Sequence, residues 1–210
     1  MTLFEDLREE VDIENGRSPF FYRRAFRRLT KRYMAQPNLF IRDERKDNNE
    51  AEEDRDKNLI RRFPKQGHLF MFEYSSDKDD VRVFDPFPLV YCIRVEGTSF
   101  TGCNLHYIHP IKRSRVVQNL QRDVLTLPYN SISKYNIDQI KGVLLDIAVE
   151  EWVTASSLPI EDFVSIQNGK PRPLNVRDIW KKNNQTFRKM LRGARIYKGY
   201  GKNDADFNSR

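Results

Sequence analysis

Cysteine is nearly absent from this chain: Cys92 and Cys103 are the only two in 210 residues, too few for a disulfide framework. Histidine is equally sparse, with His68, His106 and His109. A zinc centre needs three or four ligands at recognisable spacing. The pair His106 and His109, even joined by Asp85, does not supply it, so packing or hydrogen bonding is the expected role of all three. None of the nine glycines falls in a Walker loop or a dinucleotide fingerprint, and Gly199-Tyr200-Gly201-Lys202 is too short and has no strand before it. A serine nucleophile elbow is missing. Glu73 and Asp85 lie apart from any acid cluster of the kind a metal-dependent nuclease uses. No stretch approaches the ~18 consecutive apolar residues of a membrane span. The first ten residues carry acids where a secretory leader has a basic stretch and then an apolar run. These absences exclude the common enzyme signatures, and the expectation is a non-enzymatic protein made in a cytosol, with no catalytic residue, no metal and no cofactor.

What the chain has is charge and rings. Lysine and arginine number 37 against 30 acids, a formal +7, and 32% of residues are charged. The 12% aromatic content argues for a real core, because disordered chains lack large rings to bury. The positive balance points to an anionic partner, either nucleic acid or an acidic protein surface.

The charge is concentrated at two places. Residues 17–35 read as a helix, with Ser18 as cap, Pro19 in the first turn, and Tyr22, Phe26, Leu29 and Tyr33 on one stripe. Around that stripe stand Arg17, Arg23, Arg24, Arg27, Arg28, Lys31 and Arg32 with no acid among them. An acid-rich tract follows at 43–57 and reads as a solvated loop or marginal helix. The second concentration is C-terminal. Asn175 caps a predicted helix with Val176, Trp180, Phe187 and Leu191 on one side, and Lys181, Lys182, Arg188, Lys189, Arg192 and Arg195 are opposed only by Asp178. Such rows give salt-sensitive, sequence-independent attraction to anions. Interleaved rings such as Trp180 suit base stacking, but at helical spacing they equally suit a core. Nucleic acid and acidic protein both stay open as partners.

Between these ends the pattern is β-rich. Strands are expected at His68–Tyr74, Val81–Phe84, Leu89–Val95 and Phe100–Ile108. If Gly97 and Thr98 form a two-residue turn, Cys92 falls opposite Cys103, and a cross-strand disulfide is geometrically open. In a cytosolic product two reduced core thiols are expected instead. On one strand, Asn104 and His106 share a face and are placed to secure a loop by hydrogen bonds. Gly102 signals a bulge or close backbone approach. Pro86 and Pro88 suit an edge or strand entry. Helices are expected at Ile111–Gln121 and after Asn136, the latter with Ile137, Ile140, Leu144 and Ile147 as its buried stripe. The chain divides into an N-terminal basic helix and acidic loop (1–60), a central β module (61–110), a helical part (111–198) and a polar tail (199–210).

Three central segments carry a resemblance: Gly67–Tyr74, Phe84-Asp85-Pro86-Phe87-Pro88-Leu89-Val90, and Phe100-Thr101-Gly102-Cys103-Asn104-Leu105-His106-Tyr107-Ile108. They resemble a family of small virion-associated proteins of large contractile-tailed phages, including cyanophages, whose members are often labelled DNA end protectors. Glu151-Trp152 and Leu158–Phe163 fit the family's C-terminal part. The resemblance spans about residues 60–180, with Cys103 and Ile108-His109 departing from the usual pattern. It makes Asp85, Phe87, Pro88, Gly102, Asn104, His106 and Tyr107 a structural motif. The fold expected is α+β, a small antiparallel barrel-like module of the Src-homology-three type flanked by basic amphipathic helices.

The function expected first is a structural or assembly subunit of a virion, in the tail, baseplate or neck, docking on neighbouring virion proteins. The alternatives are a DNA end protector at the genome terminus and a host-directed regulatory binding protein. The expected location is the virion, with host cytoplasm during assembly, and neither membrane nor small-molecule substrate is expected as a partner.

Overall fold

In the computed structural model, residues 27–28, 59–76, 83–122, 124–158, 160–167, 170–191 and 197–198 are described. Of the helix expected at 17–35 only Arg27 and Arg28 fall among them, both helical. The remainder of that helix, the acidic tract at 43–57 and the tail at 199–210 lie outside the described residues.

The described strands in chain order are β1 (Leu59–Arg61), β2 (Leu69–Tyr74), β3 (Val83–Phe84), β4 (Leu89–Glu96), β5 (Ser99–Asn104), β6 (Thr126–Leu127), β7 (Ile132–Asn136), β8 (Ile140–Ile147), β9 (Phe163–Gln167), β10 (Lys170–Leu174) and β11 (Tyr197–Lys198). Three helices accompany them: α1 (Pro110–Gln121), α2 (Trp152–Ser157) and α3 (Val176–Leu191). All strand pairing is antiparallel, and the architecture is α+β. The main sheet runs β1-β8-β2-β4-β5-β7, a second runs β10-β9-β3, and β11 pairs with β6.

Strands β2 and β4 read as nearly continuous apolar runs because they lie inside the main sheet and are covered on both faces. On one face Leu69, Met71, Leu89, Tyr91, Leu145 and Ile147 pack with Val117 and Leu120 of α1 and with Trp152 and Ala155 of α2. On the other, Phe70, Phe72, Val90, Phe100, Tyr135 and Leu144 form an aromatic cluster of edge-on and stacked rings. The helices on one face explain the departure from the expected barrel. β1 and β7 are the sheet's two edges, and no pairing joins them among the described residues. The module buries one face against α1 and α2 and does not close on itself.

Two further expectations change. Residues 137–147, expected as a helix, form a short 3-10 turn (Ile137–Gln139) and then β8. Asn136 has extended backbone and its side chain caps nothing, Gly142 sits at φ +89°, and Ile140, Val143 and Ile147 are β-branched, which favours strand. The segment Phe100–Ile108 is not one strand: β5 ends at Asn104, and Leu105–Tyr107 is a 3-10 turn.

The β4–β5 hairpin turns at Gly97-Thr98 as expected, with Glu96 opposite Ser99. Its register then slips by one residue at Ile93, so that Cys92 faces Gly102 and Tyr91 faces Cys103. The two thiols consequently belong to opposite cores: Cys103 packs with the helices and Cys92 with the aromatic cluster. Both are free and buried, and burial pushes each thiol up from an ordinary value of 9.0 to about 12.

Candidate docking helix and the buried network beneath it

The loop Asp85-Pro86-Phe87-Pro88 joins β3 to β4, and Pro88 delivers the chain into the strand. Asp85 is 3% exposed and its carboxylate organises the region. Oδ1 accepts the Phe87 amide at 2.9 Å; Oδ2 accepts the Asn104 side-chain amide at 2.9 Å and lies 2.8 Å from His106 Nδ1, which donates to it. Asn104 in turn caps the 3-10 turn, its Oδ1 accepting the His106 amide at 2.9 Å. The expected partnership of Asn104 and His106 therefore exists, but it works through a capped turn and Asp85, not through a shared strand face. Gly102, next to this knot, answers the close approach expected of it: a Cβ there would collide with Val90 Cγ1 and lie 2.8 Å from the Tyr91 carbonyl oxygen.

The backbone of the same turn holds helix α3. The Trp180 indole N–H donates to the His106 carbonyl at 2.8 Å, and the Asn183 amide donates to the Tyr107 carbonyl at 3.1 Å. The Tyr107 ring meets Phe163 of β9 edge-on with centroids 4.7 Å apart, and burial raises its phenol well above the ordinary range. Trp180 is also flanked by His109, edge-on at 5.3 Å, and by the Arg113 guanidinium 6.0 Å from its ring centre. His109, once grouped with His106, instead caps α1 by accepting the Ile111 amide. Arg113 is 2% exposed and donates to the carbonyls of Ser156 (2.6 Å) and Ile108 (3.0 Å). Burial lowers it to about 10.

Helix α3 starts where the sequence places it, with Asn175 Oδ1 accepting the Arg177 amide at 2.9 Å. Arg177, Asp178, Lys181 and Lys182 are exposed, and Lys181 reaches Asp178 at 3.7 Å. An exposed pair of this length contributes little, so the lysine keeps nearly its full field. Arg188 and Lys189 lie in the same helix, seven residues on from Lys181 and Lys182. Exposed Lys170 and Arg172 sit on β10, just before α3. Beyond the helix the chain returns to the body through the β11–β6 pairing.

The N-terminal cations divide differently. Arg27 is bound to Glu73 of β2 by Nε and Nη2 at 2.5–2.9 Å, and that bond raises its pKa. It serves an internal contact in this state, though Arg27 and Arg28 are both exposed. Arg23, Arg24, Lys31, Arg192 and Arg195 lie outside the described residues.

Sequence reasoning missed two elements. Arg61, His68 and Asp146 form a buried triad at the far end of the main sheet: Arg61 Nε donates to Asp146 Oδ2 at 2.6 Å, and His68 Nδ1 lies 3.0 Å from the same oxygen. Arg61 and Asp146 are 85 residues apart, and no local pattern signals their pairing. Arg113 did leave a signal, because it shares a helix face with Val117 and Leu120 at i+4 and i+7. Among the described residues neither Asp–His pair hydrogen-bonds a hydroxyl or thiol nucleophile, and no group of three His, Cys, Asp or Glu is arranged to hold a metal ion. No described helix is long and apolar enough to cross a membrane.

The chain matches no family model, no curated protein and no solved structure.

Proposed function

We propose that this chain is a non-enzymatic structural or assembly subunit of a tailed-phage virion, docking through α3 on acidic surfaces of neighbouring virion proteins. The observation that carries the docking part is the pinning of a cationic helix: Trp180 and Asn183 tie α3 to the 3-10 turn while Arg177, Lys181 and Lys182 face solvent. A helix held before the partner arrives loses little conformational freedom on binding, so its charges convert more fully into affinity. The virion setting is supported by the resemblance of the Asp85-Pro86-Phe87-Pro88 and Gly102–Tyr107 segments, whose residues converge on one knot. That knot supports a scaffold role, since its carboxylate is occupied by three donors. An open, helix-backed sheet serves as such a scaffold without a closed barrel.

The second reading, a DNA end protector, draws on the same cations, because lysine and arginine rows also neutralise phosphate. One titration separates the two. The purified chain is presented with poly-glutamate, blunt linear duplex and closed circular duplex over a salt series, alongside Lys181→Glu/Lys182→Glu. Docking on acidic protein gives binding to poly-glutamate that the double variant loses, with weak and equal binding to both DNA forms. Tight binding that prefers duplex ends transfers the function to end protection. Absence of binding to all three removes the cationic-docking reading.

A further inference from the structure

We infer that Asp85 is the positioning residue for the basic helix, fixing α3 at a distance through the 3-10 turn without touching it. The chain of contacts is continuous. The Asp85 carboxylate holds His106 Nδ1 at 2.8 Å and Asn104 at 2.9 Å; Asn104 caps the turn at the His106 amide; the carbonyls of His106 and Tyr107 then receive Trp180 and Asn183 of α3. Every member below the helix is buried or nearly so: Asp85 is 3% exposed, Asn104 0% and His106 3%. A buried polar network of this kind has one satisfied arrangement, and that arrangement sets the direction of the two carbonyls. Without that network the two carbonyls that receive α3 are no longer aimed. The other contacts of Trp180, with His109 and Arg113, are ring and cation contacts that tolerate sliding. The directional bonds of Trp180 and Asn183 lead back through the turn to Asp85.

This deepens the docking reading by naming what aims its surface, and it rests on that reading only for its consequence. The measurement is hydrogen exchange on the full chain, comparing peptides of α3 with peptides of β2 and β8. Asp85→Asn replaces an acceptor by an amide that faces the donors of Asn104 and His106. The expected result is a fall in α3 protection of about ten- to a hundred-fold, the size of a lost hydrogen bond to a charged group, with β2 and β8 unchanged. Equal loss everywhere, or none in α3, overturns the inference. If Asp85→Asn unfolds the chain outright, the His106 pair decides. His106→Asn, whose amide nitrogen stands where Nδ1 does, keeps α3 protected, and His106→Leu does not; equal protection in both overturns it. Failure of poly-glutamate to bind the unaltered chain would remove the docking reading while leaving this exchange pattern to stand or fall alone.

Discussion

Gly102→Ala puts the register of the central hairpin to the test. The added methyl would run into Val90 Cγ1, a fully buried side chain, and lie 2.8 Å from the Tyr91 carbonyl oxygen. Strand β5 cannot retreat, because Gly102 is paired with Cys92 on one side and Ser133 on the other. Overpacking a tight interior costs about 1–3 kcal/mol, and a backbone obstacle places this site toward the upper end. Alanine also restricts the unfolded chain, returning about 0.4–1 kcal/mol, so the net loss is about 2 kcal/mol. Gly97→Ala is the control. Gly97 needs a left-handed backbone, φ +54°, but has nothing within 4 Å of its missing methyl. The left-handed penalty of about 1–2 kcal/mol, less the same unfolded-state gain, leaves about 1 kcal/mol. Urea and thermal unfolding followed by tryptophan fluorescence, to which buried Trp152 contributes, read both variants, and at roughly 2–4 °C per kcal/mol Gly102→Ala lowers Tm by about 4–8 °C. If Gly102→Ala proves no more harmful than Gly97→Ala, the bulge at Ile93 and the register beyond it are wrong.

Asp146→Ala removes the carboxylate that Arg61 and His68 share, and breaking a buried pair from one side destabilises by about 3–5 kcal/mol. A loss under about 1 kcal/mol in the same urea assay would refute a structural role for the triad. Alkaline conditions weaken the fold through its thiols. Burial raises Cys92 and Cys103 to about 12 in the folded chain against an ordinary 9.0, so their contribution is fully present below pH 9 and drains away as pH rises toward 12. The urea midpoint is expected to fall over that window and to fall less steeply in Cys103→Ala; an identical slope would show that the thiol is not desolvated.

Much of the hairpin was legible because its signals are local. Gly97-Thr98 marks the turn, and the apolar runs Leu69–Tyr74 and Leu89–Val95 mark buried strands. Helices α1 and α3 were equally plain, since Pro110 and Asn175 stand at their starts. The single-residue slip at Ile93 is marked only by Gly102 beside it, which fits a bulge and a close approach alike, and that slip alone moved Cys92 from a position opposite Cys103 to the other core. The stripe Ile137, Ile140, Leu144 and Ile147 misled because its spacing fits a helix, while β-branching favours strand and the positive φ of Gly142 disfavours helix. Asp85, Asn104 and His106 were singled out as one motif, yet their attachment to Trp180 joins segments 74 residues apart and emerges only from the fold.

One edge of the second sheet has a consequence for how this chain meets its own copies. Among the described residues strand β10 is an outer strand, and two of its five residues, Pro171 and Pro173, carry no amide hydrogen. Lys170 and Arg172 alternate with them and are exposed. Crowded chains seed fibres when an unguarded edge recruits the next chain's strand. Here that growth front lacks donors and repels its own image, so crowding on this side leaves the chains separate and available for ordered packing through other faces.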